Sequence, residues 1–190
     1  MEYSFFGKTG LKVSRLCLGT MTFTSRGGHQ SLCDQDTAWA IMDRFVEAGG
    51  NFIDTADTYW NGDSERVIGN WMEARDHDRS KLIIATKCGN HDIKGNVNAP
   101  GLSRHNIIRS VEDSLKRLKT TYIDILYTHV WDEGTPLAET LATLNSLVEQ
   151  GKVRYIGCSN LTGWQLQLAS VEGSKLTQGG YVALQQQVRD

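Results

Sequence analysis

The 190-residue chain lacks several features that mark whole classes of protein. Its formal net charge is only −2, so composition gives no basis for binding nucleic acid or an anionic membrane surface. No apolar run approaches the about 18 residues of a membrane-spanning helix, and the first residues do not resemble a signal peptide. We therefore expect a cytoplasmic protein with no nucleic-acid partner and no membrane partner.

Cysteine pairs and a glycine-rich nucleotide motif are also missing. Cys17, Cys33, Cys88 and Cys158 are far apart, and none forms a CxxC pair. We therefore expect reduced thiols that are buried or half-buried, and no metal site. The turn after the strand predicted at 15–19 does not read GxGxxG, which leaves a Rossmann-type dinucleotide site without support.

The chain instead alternates short apolar strands with amphipathic helices. A hairpin is predicted first, with strands at 2–6 and 12–13. Six further strands are predicted at 15–19, 51–54, 82–87, 123–128, 153–158 and 181–185. Two polar stretches, 21–35 and 89–101, are predicted loops that could be substrate lids or ordinary surface loops.

Five helices are predicted between these strands, from capping residues and apolar spacing. Their starts are placed at Asp34 or Asp36, near Ser64, at Ser103, at Thr135 with Pro136 as first helical residue, and at Thr162. Gly49-Gly50 and Gly151 end the first and fourth helices. The positions expected to face the core include Ala38, Ile41, Met42, Phe45, Val46, Ile107, Ile108, Val111, Leu166, Leu168 and Ala169.

Strands that alternate with helices predict a parallel sheet with right-handed crossovers. Periodicity leaves two arrangements open, an open doubly wound sheet and part of a (β/α)8 barrel. The chain shows one kind of structural repeat and no linker, so we expect a single domain over residues 1–190.

Four polar residues stand at or just behind the ends of predicted strands. Asp54 ends strand 51–54, Tyr59 follows it by five residues, Lys87 ends strand 82–87, and His129 follows strand 123–128. Because the carboxyl ends of parallel strands converge, we expect these side chains to meet at one site.

This set of side chains suits proton donation during reduction of a carbonyl. Hydride addition leaves negative charge on the carbonyl oxygen, which an acid must neutralise. Tyr59 is a weak acid that the ammonium of Lys87 would strengthen, and Asp54 would keep that ammonium charged. His129 could donate a hydrogen bond that orients the carbonyl.

Taken singly, each of these residues has an ordinary structural role, as a packing ring, a solvated charge or a cap. Their joint occurrence in order at strand ends is what favours catalysis. For three further acids nearby, Asp57, Asp63 and Glu65, we expect solvated or capping roles.

Several segments resemble the aldo-keto reductase family. Phe52-Ile53-Asp54-Thr55-Ala56-Asp57-Thr58-Tyr59 is similar to its catalytic segment, Leu16-Cys17-Leu18-Gly19-Thr20-Met21 to its first barrel strand, and residues 7–14 to its amino-terminal hairpin. Residues 151–160 are similar to the strand that ends in its nicotinamide-binding Ser-Asn pair. These motifs run in the family's order from residue 3 to residue 185.

The resemblance implies a (β/α)8 TIM barrel, of which the hairpin and about six βα units are present, and NADPH-dependent reduction of a small aldehyde or ketone. It assigns the catalytic roles given above to Asp54, Tyr59, Lys87 and His129, with Tyr59 as the acid. It implies that NADPH/NADP+ contacts Gly19, Thr20, Asp54, Ser159, Asn160 and Gln185. Trp60 and Trp131 follow strand ends and are candidates for apolar substrate walls.

The chain length bears on both fold and function. A complete barrel of this class needs about 250 residues, so we expect a domain that is incomplete at its C-terminus, where 188–190 departs early from the family pattern. Unclosed barrel edges would favour oligomerisation, association with a missing segment or poor solubility.

Two functions stay open, an NADPH-dependent carbonyl reductase and a weakly active or inactive protein. The second could be a binding or regulatory protein resembling the potassium-channel β subunits, or a truncated non-functional isoform.

Overall fold

The computed structural model describes residues 1–25, 33–91 and 93–187. Its strands form a two-stranded hairpin and a six-stranded parallel sheet. Strands β1 (Tyr3–Phe5) and β2 (Lys12–Ser14) form the antiparallel hairpin. Strands and helices then alternate as β3 (Leu18–Gly19), α1 (Gln35–Glu47), β4 (Phe52–Asp54), α2 (Asp63–Ala74), β5 (Ile83–Cys88), α3 (Arg104–Leu118), β6 (Ile123–Thr128), α4 (Leu137–Glu149), β7 (Val153–Ser159), α5 (Gly163–Gly173) and β8 (Ala183–Gln185). A 3₁₀ turn at Arg79–Lys81 precedes β5.

The order of the strands decides between the two predicted arrangements. Within the described residues, β3 to β8 pair in parallel and in chain order, with no reversal. A doubly wound sheet needs such a reversal at its switch point. Right-handed crossovers in an unreversed order place successive helices on one face of the sheet. The sheet is thus a curled half-barrel, which confirms the predicted partial TIM barrel with its amino-terminal hairpin.

The larger hydrophobic core joins the convex face of the sheet to the helices. Met42, Trp71, Ile107 and Leu141 come from four different helices, and each is fully buried in one cluster with Ile84 of β5. Burying a side chain of this size stabilises the fold by about 1.5–3 kcal/mol. This core therefore fixes the helices against the strands and, through them, the positions of the strand ends.

A smaller core lies on the concave face and is covered by the hairpin. Val13 of β2 belongs to one cluster with Ile83 and Ile125, at or near the starts of β5 and β6. The rings of Phe6 and Phe52 meet edge to face, with centroids 5.8 Å apart. The hairpin thus packs against the amino-terminal ends of the strands and leaves their carboxyl ends accessible.

The apolar stripe of three helices is narrower than predicted. Ile41, Ile108 and Leu168 were expected to face the core but are 39%, 38% and 41% exposed. An adjacent residue on each helix, Met42, Ile107 or Ala169, is completely buried instead. Because successive helix positions differ by about 100°, a neighbour of a buried residue lies at the edge of the stripe.

Most predicted caps are confirmed. Asp34 accepts a hydrogen bond from the backbone N–H of Thr37, and Ser103 accepts one from Asn106. The predicted cap at Thr135 is wrong by one residue, because Pro136 occupies the N-cap of α4. The Thr135 hydroxyl instead donates to Asp132 over 2.6 Å.

Some further expectations change or cannot be compared with the structure. Strand β3 covers only Leu18–Gly19 and β8 only Ala183–Gln185, shorter than predicted. All four cysteines are free; three are buried, as expected, but Cys17 is exposed, which corrects that prediction. Residues 26–32 of the predicted loop 21–35, residue 92 of the loop 89–101, and the chain end 188–190 lie outside the described residues. No helix among those described is long and apolar enough to cross a bilayer.

The contact between α2 and α3 depends on Gly69. A Cβ there would come within 2.3 Å of the Arg117 carbonyl oxygen and 2.8 Å of the Leu118 carbonyl carbon. We expect Gly69→Ala to lower the free energy of unfolding by about 1–3 kcal/mol, because backbone atoms cannot yield without moving a helix.

Urea unfolding measures this effect against Gly163→Ala. Gly163 begins α5, and a Cβ there would meet no atom within 4 Å. The control should be neutral or stabilising by up to about 1 kcal/mol. Equal destabilisation by the two substitutions would contradict close packing at Gly69.

Candidate active site

The end of β4 and the end of β5 supply a buried ion pair. Lys87 Nζ lies 2.6 Å from Asp54 Oδ2 and also donates to the Thr55 carbonyl over 2.8 Å. The side chains of Lys87 and Asp54 are only 3% and 9% exposed. Asp54 pairs in register with Ala85, so Lys87, two residues further along β5, lies on the same face of the sheet.

Tyr59 reaches this pair from the loop after β4. Lys87 Nζ lies 3.3 Å from the Tyr59 hydroxyl oxygen and 5.1 Å from its ring centroid. The loop turns sharply behind Tyr59, because Trp60, Asn61 and Gly62 all have positive φ, at 50°, 55° and 78°. Two consecutive non-glycine residues in that region represent stored backbone strain, as is common at functional sites.

His129 lies beside Tyr59 and is anchored through its backbone. Its N–H donates to the Cys88 carbonyl over 2.9 Å, and its carbonyl accepts from the Asn160 side chain over 2.9 Å. The Tyr59 and His129 rings meet edge to face, with centroids 6.0 Å apart. The structure thus brings together all four residues that the sequence predicts for the catalytic site.

Burial decides the charge of His129. Desolvation, reinforced by the positive charge of Lys87, lowers the pKa of His129 to about 4. The imidazole is therefore neutral near pH 7, with one nitrogen as donor and the other as acceptor. Its Nδ1 is buried and has no hydrogen-bond partner within the described residues.

A second tyrosine near the ion pair has a different role. Tyr127 pairs in register with Lys87, and burial, with a smaller effect of the Asp54 charge, raises its pKa above the usual range. Its ring fills the space above Gly157, where a Cβ would come within 2.5 Å of a ring carbon. Tyr127 is therefore a packing residue, whereas Tyr59 is the phenol whose hydroxyl contacts Lys87.

Hydroxyl groups connect β3, β4 and α2 behind the ion pair. The Thr20 hydroxyl and N–H both lie 3.0 Å from the Asp54 carbonyl oxygen, and Ser64 donates to the Thr20 carbonyl over 2.8 Å. The hydroxyl, N–H and carbonyl of Thr20 thus all form hydrogen bonds within the protein. Gly19 differs, because it is exposed and a Cβ there would meet no atom within 4 Å.

The residues expected to bind nicotinamide lie together at the ends of β7 and β8. Ser159 and Gln185 pair in register, with Ser159 Oγ 3.5 Å from Gln185 Oε1. The Asn160 N–H donates to the Gln185 carbonyl over 3.3 Å, and Asn160 has a φ of 57°. One hydroxyl and two amides can match the donors and acceptors of a carboxamide, so the residues fit a nicotinamide ring.

The predicted substrate walls separate into two aromatic groups. The Trp60 indole donates to the Met21 carbonyl over 2.9 Å. Trp131 packs edge to face on Trp164, with centroids 5.7 Å apart. Trp164, which is 63% exposed, was not predicted as part of this site; its position just after the Ser159-Asn160 strand end was the available signal.

The expected roles of the three nearby acids are wrong. Asp57, Asp63 and Glu65 are 1%, 6% and 0% exposed, so none is solvated. Asp63 accepts from Thr24 and Ser25 of the preceding loop, and Gly62 occupies the N-cap of α2. Glu65 points into the packing between α2, α3 and β5, a long-range contact that sequence spacing does not reveal.

Comparisons with known proteins agree with the partial barrel fold. A family model described as Aldo/keto reductase family matches residues 15–189. Norsolorinic acid reductase B of Dothistroma septosporum is 43% identical over 177 residues, which cover 90% of this chain and 45% of the relative. The uncharacterized oxidoreductase YrpG of Bacillus subtilis is 40% identical over 188 residues, or 92% and 54% of the two chains.

A third relative, aryl-alcohol dehydrogenase GME11368 of Pestalotiopsis microspora, is 40% identical over 160 residues, covering 81% of this chain and 41% of the relative. The chain therefore spans about half the length of the curated relatives it matches.

The ion pair makes a strong prediction for stability. Lys87→Met should lower the free energy of unfolding at pH 7 by about 3–5 kcal/mol, because Asp54 then stays buried without its partner. Adding Asp54→Asn should recover much of that loss. Urea unfolding of the two single variants and the double variant gives the coupling energy, and strictly additive effects would show that the pair contributes nothing.

The protonation of His129 can be followed by imidazole ¹⁵N NMR, with His129→Gln to assign the signal. We expect no titration near pH 6.5, where free histidine titrates, because burial lowers the folded pKa to about 4. Since folding favours the neutral form, this contribution to stability is complete above about pH 6.5 and is lost as pH falls toward about 4. A titration midpoint near 6.5 would refute the burial argument.

Proposed function

This chain belongs to the aldo/keto reductase family, and from that premise we propose that it reduces an aldehyde or ketone to an alcohol with hydride from NADPH. The observation that carries the proposal is the contact of Lys87 Nζ with both Asp54, at 2.6 Å, and the Tyr59 hydroxyl, at 3.3 Å. Oxidoreductase names among the relatives support carbonyl reduction in general. The preference for NADPH over NADH comes from the family resemblance.

In this proposal Tyr59 supplies the proton. As hydride reaches the carbonyl carbon, negative charge develops on oxygen, and Tyr59 donates its hydroxyl proton there. The phenolate that remains is stabilised by the ammonium of Lys87 at 3.3 Å. Asp54, which is nearly buried together with Lys87, keeps that ammonium charged.

His129 orients the carbonyl in the same proposal. A neutral imidazole can donate one N–H to the carbonyl oxygen and leave the proton transfer to Tyr59. A pKa of about 4 keeps His129 in this form across the physiological range. Its backbone contacts to Cys88 and Asn160 would maintain the ring position while substrate enters.

The cofactor would lie across the carboxyl ends of β7, β8 and β3. Ser159, Asn160 and Gln185 would hold the nicotinamide carboxamide, and exposed Gly19 leaves room for the adjoining ribose. Asn160 contacts His129 as well, so the same residue would align the nicotinamide with the carbonyl-orienting ring. Thr20 and Asp54 would contribute through the geometry of the β3–β4 strand ends.

Aromatic aldehydes are the substrate class that we propose. One relative is named an aryl-alcohol dehydrogenase. Trp60 and Trp131 follow Tyr59 and His129 closely along the chain, so flat apolar walls lie near the reacting groups.

Substitution of Tyr59 tests the proposal. NADPH consumption by the 190-residue chain is measured with a small panel of aromatic aldehydes, beside Tyr59→Phe. We expect the variant to lose activity by at least about 100-fold, the usual contribution of a positioned general acid. Its fold should be unchanged, because only one hydroxyl is removed.

Tyr122→Phe is the matched control. Tyr122 precedes β6 at the opposite end of the sheet, where its hydroxyl donates to the Arg79 carbonyl over 3.4 Å. It should retain near-normal turnover. Folded protein that binds NADPH tightly, yet turns over no faster than Tyr59→Phe, would instead indicate a binding or regulatory protein of this fold.

A further inference from the structure

Two buried acids lie behind the catalytic segment, on the convex face of the sheet. Thr86 and Lys87 are consecutive in β5, so their side chains point to opposite faces. Lys87 meets Asp54 on the concave face, whereas the Thr86 hydroxyl donates to Glu65 over 2.6 Å on the other. Asp57 shares this outer site with Glu65, and neither acid has a part in the proposed reaction.

Glu65 is fully paired there. Its second carboxylate oxygen accepts from Arg117 Nε over 2.6 Å. Gly62 packs against the Arg117 side chain, since a Cβ at Gly62 would come within 2.6 Å of Arg117 Cδ and Nε. Glu65 is therefore a carboxylate whose charge is balanced by a guanidinium in a fixed position.

Asp57 has no such partner. Both of its carboxylate oxygens are buried without a hydrogen bond from any described residue. The Thr58 N–H has the smallest of the effects on the pKa of Asp57, which it lowers, and it makes no hydrogen bond to either carboxylate oxygen. A buried carboxylate without donors is costly, whereas the neutral acid is much less so.

Charged and titratable groups face Asp57 from three elements. Glu65 of α2 opposes its ionisation, while Arg117 and Arg109 of α3 favour it. Arg109 donates to the Asn106 side chain, and its Nε has no partner within the described residues. From β5, the buried thiol of Cys88 also faces the pair, and its pKa lies above the usual range.

Burial is the largest of these effects, followed by the charge of Glu65. Together they outweigh the two guanidinium groups and raise the pKa of Asp57 from 3.8 to about 7. The contacts agree with this direction, because Arg117 Nε donates its hydrogen bond to Glu65 and not to Asp57.

We propose that Asp57 is a positioning residue, held as a neutral carboxylic acid beside charged Glu65, and that losing its proton disturbs the turn carrying Tyr59. The link to the site is direct. The Asp57 N–H donates to the Lys87 carbonyl over 3.1 Å, and the Tyr59 N–H donates to the Ala56 carbonyl over 3.2 Å. An ionised Asp57 must reach water or a donor, and because these hydrogen bonds tie its backbone to β5 and to the Tyr59 turn, that movement would strain the segment between them.

The sign of the pH effect follows from the direction of the pKa change. The folded pKa of Asp57 is raised, so the folded state binds the proton more tightly than the unfolded chain. Its contribution to stability is complete below about pH 4 and is lost as pH rises to about 7. Asp57→Asn, which has the same shape and no charge, should remove that loss.

Thermal unfolding at pH 5 and pH 8 tests this expectation. Between these values the Tm of the unaltered chain should fall about 5 °C further than that of Asp57→Asn. Asp76→Asn is the matched control, because Asp76 is exposed and its φ of 48° suits asparagine equally well. It should follow the unaltered chain, and parallel behaviour of all three proteins would overturn the proposal.

Infrared spectroscopy identifies the protonated group directly. The unaltered chain at pH 5 should show the carbonyl band of a buried carboxylic acid, which diminishes by pH 8 and is absent from Asp57→Asn. Persistence of the band in that variant would assign the proton to another acid and overturn the proposal. The unaltered chain is measured first, and absence of a titrating band between pH 5 and pH 8 overturns the proposal even if Asp57→Asn folds poorly.

The kinetic arm rests on the proposed carbonyl reduction. With NADPH and an aromatic aldehyde, kcat of the unaltered chain should fall several-fold from pH 6 to pH 8, and Asp57→Asn should lack that fall. The KM for NADPH should not change, since Asp57 acts through Tyr59 and not through the β7–β8 residues. Absence of turnover at every pH would contradict the proposed function alone, because unfolding and infrared measurements decide the role of Asp57 independently.

Discussion

The ion pair between Lys87 and Asp54 is formed where both charges have lost most of their water. Desolvation costs several kcal/mol per ion and is offset only by good geometry and further hydrogen bonds. The 2.6 Å contact and the Thr55 carbonyl provide both for Lys87, whereas Asp54 Oδ1 is buried without a hydrogen-bond partner among the described residues. Such a pair exists only if β4 and β5 keep their register, so the helix packing on the convex face serves the site directly.

Strand β5 contributes buried polar contacts on both faces of the sheet. Lys87 fixes Asp54 and approaches Tyr59 inside, while Thr86 fixes Glu65 outside. The loop from β4 to α2 is therefore held at its start and at its end by two neighbouring residues. Asp57 lies within that loop, three residues after Asp54 and two before Tyr59, so a change in its charge acts on the segment that positions Tyr59.

The curl of the sheet brings distant strand ends to this loop. His129 is bonded to Cys88 on one side and to Asn160 on the other, which joins β5, β6 and β7 at the site. The hairpin packs at the opposite end, where Phe6 meets Phe52. The four candidate residues therefore lie at the open end of the concave face, and the core covered by the hairpin lies at the other end of the strands.

The local sequence pattern was sufficient to predict most of the secondary structure of this protein. Apolar spacing and residues such as Asp34 and Ser103 predicted the strands, helices and caps, because these depend on neighbours within a few positions. Order along the strand ends likewise predicted the meeting of Asp54, Tyr59, Lys87 and His129. The exposed Ile41 and Ile108 show the limit of prediction from spacing. Spacing indicates which side of a helix faces the sheet, but not how wide a strip of that side the sheet covers.

Only the tertiary structure decided the rest. Periodicity is the same in a doubly wound sheet and in a barrel, and the unreversed strand order distinguishes them. From the sequence, Asp57 and Glu65 were expected to be solvated or to cap a helix, and their burial depends on the packing of α3, with Arg117, against α2. The contact between Trp164 and Trp131 likewise forms only in the folded chain. Burial and charge state depend on residues far away in the chain, so the sequence by itself determined which polar side chains stand at the strand ends, and packing determined their electrostatics.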